Sequence, residues 1–452
     1  MRRCYYKKKP VKRKEIREAL ENFNACCELL KLLRHFFPDL IPMLKQVSDP
    51  RHQSYTDYEN YVLLFVRILG AVFHIGSMRK ISVELNNKIC ISNVAVMLKH
   101  EDLQELPYWE TINNYLKLFS ETELENIIQQ MVYRLIRMRS FENSRIRDKY
   151  WHIVIDGTQI YSSNERHCPY CLTREHKDKE TGKVKWTEYY HCVLEAKLVI
   201  NNCIVISIAT EFIENEEPDA PKQDCEQNAF YRLAKKLKQR FPRLPICLGM
   251  DSLYACGPVF DIIKQNNWHF IIRFKDGSLP SVAEEFHALK TMEPEQIFTK
   301  TESGTTKTYR YVTRIPYQAH TLNVVEYVQS DLGYPFVFIT DLSITKKNYE
   351  HLVEDGRRRW KIENEGFNAQ KNHGYELKHL FSKDYTAMKN HYLLTQIGHM
   401  IGQFYEHALE IWKLIKMPAY EIYQSLKQSF KSYALKKEDT DFLPVRYRFG
   451  ET

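Results

Sequence analysis

The chain has 452 residues, 44% of them apolar and 27% charged, with a formal net charge of +8. That length exceeds one simple core and predicts two or three domains of ordinary globular composition. It excludes a collagenous or charge-dominated disordered chain, and the mild basicity suits a phosphate-rich partner without requiring one.

The N-terminus is basic, with Arg2-Arg3, Lys7-Lys8-Lys9 and Lys12-Arg13-Lys14. No apolar h-region follows it, so a secretory signal is not expected. No run approaches the roughly 18 apolar residues of a membrane span. The 11 cysteines are odd in number and scattered, which predicts reduced thiols and a cytoplasmic location.

Residues 1–145 are predicted to be mostly helical, with apolar residues at helical spacing over Glu15 to Leu33 and Tyr58 to Phe73. Thr111 is predicted to cap a helix from Ile112 to Phe119. At Trp151 the pattern changes. Trp151 to Ile155 is a short apolar run predicted to be a buried strand, meeting a turn at Asp156-Gly157-Thr158. Further strands are predicted over Tyr189 to Ile200, Cys203 to Thr210, Pro245 to Met250 and Trp268 to Phe274. Helices over Asp224 to Phe241 and Val259 to Asn266 interleave with them, which makes the region α/β.

Between these strands lies His167-Cys168-Pro169-Tyr170-Cys171, followed by His176 and by His191-Cys192. Cys168, Cys171, His176 and either His191 or Cys192 form one candidate tetrahedral Zn²⁺ set, and free thiols in a loop are the other reading. Lys177 to Lys185 is predicted to be a hairpin tip turning at Thr181-Gly182. Asp224 is predicted to cap the following helix, with Asp224 and Glu226 as auxiliary carboxylates the alternative.

Residues 291–342 alternate in the manner of antiparallel strands, closing at Phe336 to Asp341. Helix is then predicted from Asn348 to about Asn372 and over Ala387 to Tyr405, with a helical tail in 411–452. The first of these carries Arg357-Arg358-Arg359-Trp360-Lys361-Ile362-Glu363, a carboxylate among cations. Asp156, Asp251 and Glu363 are candidate ligands for two divalent cations acting on a polyanion. Each alone has an ordinary explanation as a turn, cap or solvated helix residue. At helical spacing, Arg359, Glu363, Phe367 and Lys371 share a face and Glu365 points away, which favours Glu363 over its rival Glu365.

Three segments in this order carry a resemblance to a family: Ile155-Asp156-Gly157-Thr158, Gly249 to Ala255, and Arg359 to Glu363. Asp251 follows Asp156 by 95 residues and Glu363 follows Asp251 by 112. The chain resembles a DDE transposase of the bacterial insertion-sequence, cut-and-paste type over roughly residues 150–405. That resemblance implies an RNase H-like catalytic core, with the β-rich stretch as an insertion before the catalytic helix. Its implied domains are a DNA-binding and dimerisation region in 1–145, core segments in 146–290 and 343–410 with a Cys/His loop at 164–192, and the insertion in 291–342.

One branch of the family carries a Tyr-(2)-Arg-(3)-Glu-(6)-Lys signature. Arg359 and Glu363 match it, Gly356 stands at the Tyr position, and Gln370 at the Lys position with Lys371 next. The resemblance implies catalysis by Asp156, Asp251 and Glu363 with two Mg²⁺ or Mn²⁺ ions, and DNA contacts by Arg359, Lys371 and Trp360. Core packing is the competing role for Trp360. Tyr254 and Lys275 are weaker candidates for DNA contact. The implied partners are double-stranded DNA bearing element-end inverted repeats, target DNA and a second copy of the chain. A non-catalytic DNA-binding derivative and a structure-specific nuclease are the alternatives. A glycoside hydrolase also uses paired carboxylates, but the arginines suit phosphate better.

Overall fold

The computed structural model describes residues 13–21, 23–138, 141–200, 203–215, 222–292, 294–302, 304–436, 438–440 and 447. Most of the basic N-terminal arm lies outside them. The chain divides into a helical unit, built from residues 1–127, 373–376 and 386–451, and a sheet unit built from 128–372 and 377–385. Among the described residues, no helix is long and apolar enough to cross a membrane.

The sheet unit is organised by one ten-stranded sheet. Its strands are β1 (Trp151–Ser163), β2 (Leu172–Lys177), β3 (Val184–Ile200), β4 (Ile204–Ile213), β5 (Ile246–Met250), β6 (His269–Arg273), β7 (Ile297–Glu302), β8 (Thr305–Tyr317), β9 (His320–Gln329) and β10 (Phe336–Thr340). The order is β2-β3-β1-β5-β6-β10-β9-β8-β7, with β4 also pairing with β3. β1 is antiparallel to β3 but parallel to β5, and β5 is parallel to β6. A parallel step needs a crossover, and the helices Glu226–Arg240 and Gly257–Gln265 provide it. Ile153, Ile155, Leu248 and Met250 are all buried, as strands covered on both faces require.

One strand prediction changes. β1 does not stop at Asp156 but continues to Ser163, because β3 keeps pairing with it after β5 has ended. The alternating stretch 291–342 is antiparallel as expected, and β10 joins it edge to edge with β6 in the same sheet. The hairpin between β2 and β3 turns at Gly182, where φ is +67°.

The predicted continuous helix from Asn348 to Asn372 is broken. An α-helix spans Tyr349–Arg357, a π-helix spans Ile362–Asn368, and a final α-turn spans Ala369–Asn372. Ile362 and Phe367 pack on Val154 and Val199 of the sheet. Each such burial contributes about 1.5–3 kcal/mol, enough to hold the widened turn in place.

Within the helical unit, the predicted helix Glu15 to Leu33 is two helices, Arg13–Glu21 and Ala25–Phe36. Asn24 caps the second by accepting from the Cys27 amide at 3.0 Å. The predicted cap at Thr111 falls inside a helix that already starts at Trp109. The helix Asn60–Val72 is buried nearly all round, and it meets Tyr385–Ala408 closely at Gly398. A Cβ on Gly398 would lie 2.5 Å from that of Ala71, so only glycine allows this crossing. Gly398→Leu is therefore expected to cost about 1–3 kcal/mol by overpacking. Thermal unfolding checks it: a lower melting temperature is expected, and an unchanged one would contradict the close crossing.

Candidate functional site

The site grows from the parallel register of β1 and β5. Trp151 pairs with Ile246 and Val154 with Gly249, an offset of 95 residues that equals the spacing of Asp156 and Asp251. The two aspartates therefore stand side by side where β5 ends and β1 runs on. Adjacent strands lie about 4.8 Å apart, and registered residues face the same way. Open α/β sheets bind ligands at such carboxyl ends.

Each aspartate is held by its surroundings. Asp251 accepts from the Leu253 amide at 2.9 Å and caps the short turn Ser252–Tyr254. Asp156 accepts from the Gly157 amide at 3.1 Å and from Arg359 at 3.0 Å. Its side chain keeps 22% of its exposure. Burial lifts the Asp156 carboxyl to about 6, against the pull of Arg359, and the charges of Glu226 and Asp251 add to the lift.

Glu226 is the third carboxylate of this cluster. It stands in the first turn of the helix Glu226–Arg240 and lies against Gly157, where a Cβ would meet its Oε2 at 2.7 Å. Tyr254, fully buried, donates to its Oε1 at 2.6 Å. Burial raises the Glu226 carboxyl, the Tyr254 hydroxyl opposes this, and the Asp251 charge adds to it. Tyr254 is thus an internal support. Asp224, predicted as the helix cap, instead accepts from Arg232 at 2.6 Å, while Cys225 takes the cap position without a side-chain bond.

The π-helical segment lies over the face that carries Val154 and Asp156. From either side of it come two cations: Arg359 reaches Asp156, and the Lys371 ammonium meets the Thr158 hydroxyl. Burial lowers the Lys371 pKa, helped by Lys378 and opposed by Cys192, Glu363 and Asp156. Glu363 is exposed, unlike the buried Phe367, so the four residues predicted to share a face do not. A π-turn closes i→i+5 bonds and shifts every later residue relative to 3.6-residue spacing. Glu365 is drawn to Lys361 at 3.3 Å. Trp360 is 46% exposed rather than packed in the core.

The donor set of Asp156 and Asp251 fits a hard divalent cation. Mg²⁺ is commonly held by only one or two carboxylates, with water and substrate phosphate completing the shell. Glu363 does not close a triad with them. Among the described residues, the one group of three metal-ligating side chains with donor atoms within 4.8 Å of one another is Cys168, Cys171 and His191. Their contacts are 3.7 Å between the sulfurs, and 3.2 and 3.3 Å from the His191 Nε2 to Cys168 and Cys171. A hydrogen bond from Cys171 draws the Cys168 thiol down to about 4, against burial and with help from His191; Cys171 is pushed up in turn.

His176 lies outside that group. It meets Glu188 at 2.9 Å and stacks on Trp186, its partner across the β2–β3 pair. Cys192 is likewise not among the three, because neighbouring strand residues face opposite ways.

No protein-family model and no curated protein matches the chain. Among solved structures the chain is similar to a piggyBac transposase, seen by cryo-EM in a synaptic complex with hairpin DNA. The identity is 11% and the TM-score 0.39, over 93% of this chain and 84% of that one. A likeness of that size carries no argument about fold or function.

Without a bound cation, Asp156 makes the fold pH-dependent. Its folded pKa of about 6 lies above the ordinary aspartate value. The folded state therefore binds the proton more tightly, and stability falls as pH rises from about 4 to 6. In chelator, the melting temperature of the wild type is expected to drop across that window by more than that of Asp156→Asn. Equal slopes for the two proteins would contradict the raised pKa.

Proposed function

We propose that the chain is a DDE-type transposase that cleaves and rejoins DNA at the ends of a mobile element. The observation that carries this reading is the register of parallel β1 and β5, which sets Asp251, just past the end of β5, beside Asp156 within β1. The antiparallel β3–β1 pair continuing into parallel β5 and β6, with a helical crossover behind, supports an RNase H-like core.

In this reading Asp156 and Asp251 hold Mg²⁺ or Mn²⁺, and Glu363 of the π-helical segment, which stands outside their cluster here, joins them when the ions and DNA bind. Glu365 is paired with Lys361 at 3.3 Å, which favours Glu363 over Glu365 for that role. When bound, two such ions supply Lewis-acid stabilisation and an activated oxygen for in-line displacement at phosphorus. The protein's own groups do the rest. Asp251 is fixed by its cap bond to Leu253, so it needs no reorientation. Arg359 neutralises Asp156 in the free protein and offers a bidentate fork to phosphate once that carboxylate is otherwise balanced. Lys371 adds a second phosphate contact, and the exposed Trp360 indole offers a stacking face to a base.

Hydrolysis frees a 3′-OH, and that hydroxyl attacks target DNA. Neither step needs a covalent protein–DNA bond. The partners of this reading are double-stranded DNA with terminal inverted repeats, target DNA and a second protomer. The basic N-terminal region takes part in end recognition, and the location is cytoplasmic, at the nucleoid in a bacterium.

Asp156→Ala, Asp251→Ala and Glu363→Ala are each expected to lower strand cleavage more than about 100-fold, since even outer-shell changes cost 10–100-fold in metal sites. DNA binding should persist, and Glu365→Ala should keep cleavage. A gel assay with DNA flanking the coding region, with and without Mg²⁺, checks this. Cleavage retained in any of the three variants would reject that residue's role. Wild-type binding without nicking would replace the reading with a non-catalytic DNA-binding one.

A further inference from the structure

We infer that Cys168, Cys171 and His191 bind one Zn²⁺ ion, which pins the loop after β1 to strand β3. The inference does not rest on the DNA reading.

Donor spacing is the first support. With Zn–S near 2.3 Å and Zn–N near 2.0–2.1 Å, a tetrahedral ion sets sulfurs about 3.8 Å apart and sulfur and nitrogen about 3.6 Å apart. The distances here are 3.7 Å for the sulfur pair and 3.2 and 3.3 Å for the sulfur–nitrogen pairs. The three donors outline one face of such a tetrahedron, slightly contracted at the nitrogen.

Local structure holds them there. The Cys171 amide donates to the Cys168 carbonyl at 3.1 Å, which closes the Cys-x2-Cys turn. The Cys168 amide donates to the Cys171 sulfur at 3.3 Å, a contact that favours thiolate. His191 stacks on Tyr385 with centroids 4.5 Å apart, and Tyr385 stacks on Tyr170 from the same turn. Stacking sets the plane of the imidazole, and its Nε2 meets both sulfurs. Its Nδ1 is buried and has no hydrogen-bond partner among the described residues, so the ring's polar contacts are those of Nε2 with the two sulfurs.

Chemistry selects the ion. Two thiolates and an imidazole prefer Zn²⁺ to the hard cations that suit Asp156 and Asp251. Among the described residues no fourth His, Cys, Asp or Glu donor joins the group. The ion bridges residues 168–171, which lead from β1 into β2, to the middle of β3. It would stiffen the ribbon that β1 forms beyond Asp156.

The test is metal content and spectroscopy of the full chain purified without chelator. About one Zn²⁺ per chain is expected, released in the folded protein by a thiol-specific mercurial and read with a colorimetric chelator. Co²⁺ exchanged into the protein should show tetrahedral d–d bands and thiolate charge transfer. Cys168→Ser, Cys171→Ser and His191→Ala should lose these bands, while His176→Ala and Cys192→Ala should keep them. Wild-type protein that binds neither ion would overturn the inference. Loss in His176→Ala with retention in His191→Ala would overturn the ligand set. Mercurial release from wild-type protein does not depend on any variant folding.

Discussion

The parallel pairing of β1 with β5 is the constraint on which the candidate site depends. Ile153, Ile155, Leu248 and Met250 are buried in these strands, while Gly249 leaves room for His152 and Val154. Both strands are buried on both faces where they pair, so a slip of one residue would exchange which side chains pack into each layer. The register is therefore held by packing along the whole strand pair, and the aspartates at its end inherit their proximity from that packing. Gly157 extends the same logic, because its missing Cβ admits the Glu226 carboxylate. Burial and two neighbouring carboxylates, Glu226 and Asp251, then give Asp156 its raised proton affinity, and Arg359 offsets only part of it.

Much of this frame was legible in residue order. The apolar runs before Asp156 and Asp251 mark buried strands, and their spacing is the strand offset itself. The strand-rich stretch after residue 291 and the helix over Ala387 to Tyr405 were also legible, since period-2 alternation and long apolar periodicity are strong signals. What escaped is what tertiary contacts decide. A π-turn has no residue signature, so 3.6-residue spacing put Glu363 on a face with Phe367 that the fold does not build. Asp224 looked like a cap, but an arginine two turns on claims it. Trp360 follows a helix end, where the chain turns and leaves the indole exposed. Glu226 was visible only as an auxiliary carboxylate, because nothing local says that a helix start will meet Gly157.

One member of each donor set lies on the same strand pair. Asp156 pairs with Glu195 of β3, and His191 lies four residues from Glu195 along that strand, roughly 13 Å at the strand rise. One set is hard oxygen with raised proton affinity, the other soft sulfur and nitrogen. Their ligand types sort different cations without any need for different affinity. His176 was as good a candidate as His191 by spacing alone. Strand register separates them, pairing His176 with Trp186 and leaving it to Glu188.

The central claim is that Asp156 and Asp251 together hold a divalent cation. Mn²⁺ titration of the full chain, followed by loss of the free-ion electron paramagnetic resonance signal, tests it without DNA. The account expects saturable binding by the wild type that Asp156→Asn and Asp251→Asn each weaken at least about tenfold. Binding unchanged by both substitutions would contradict it.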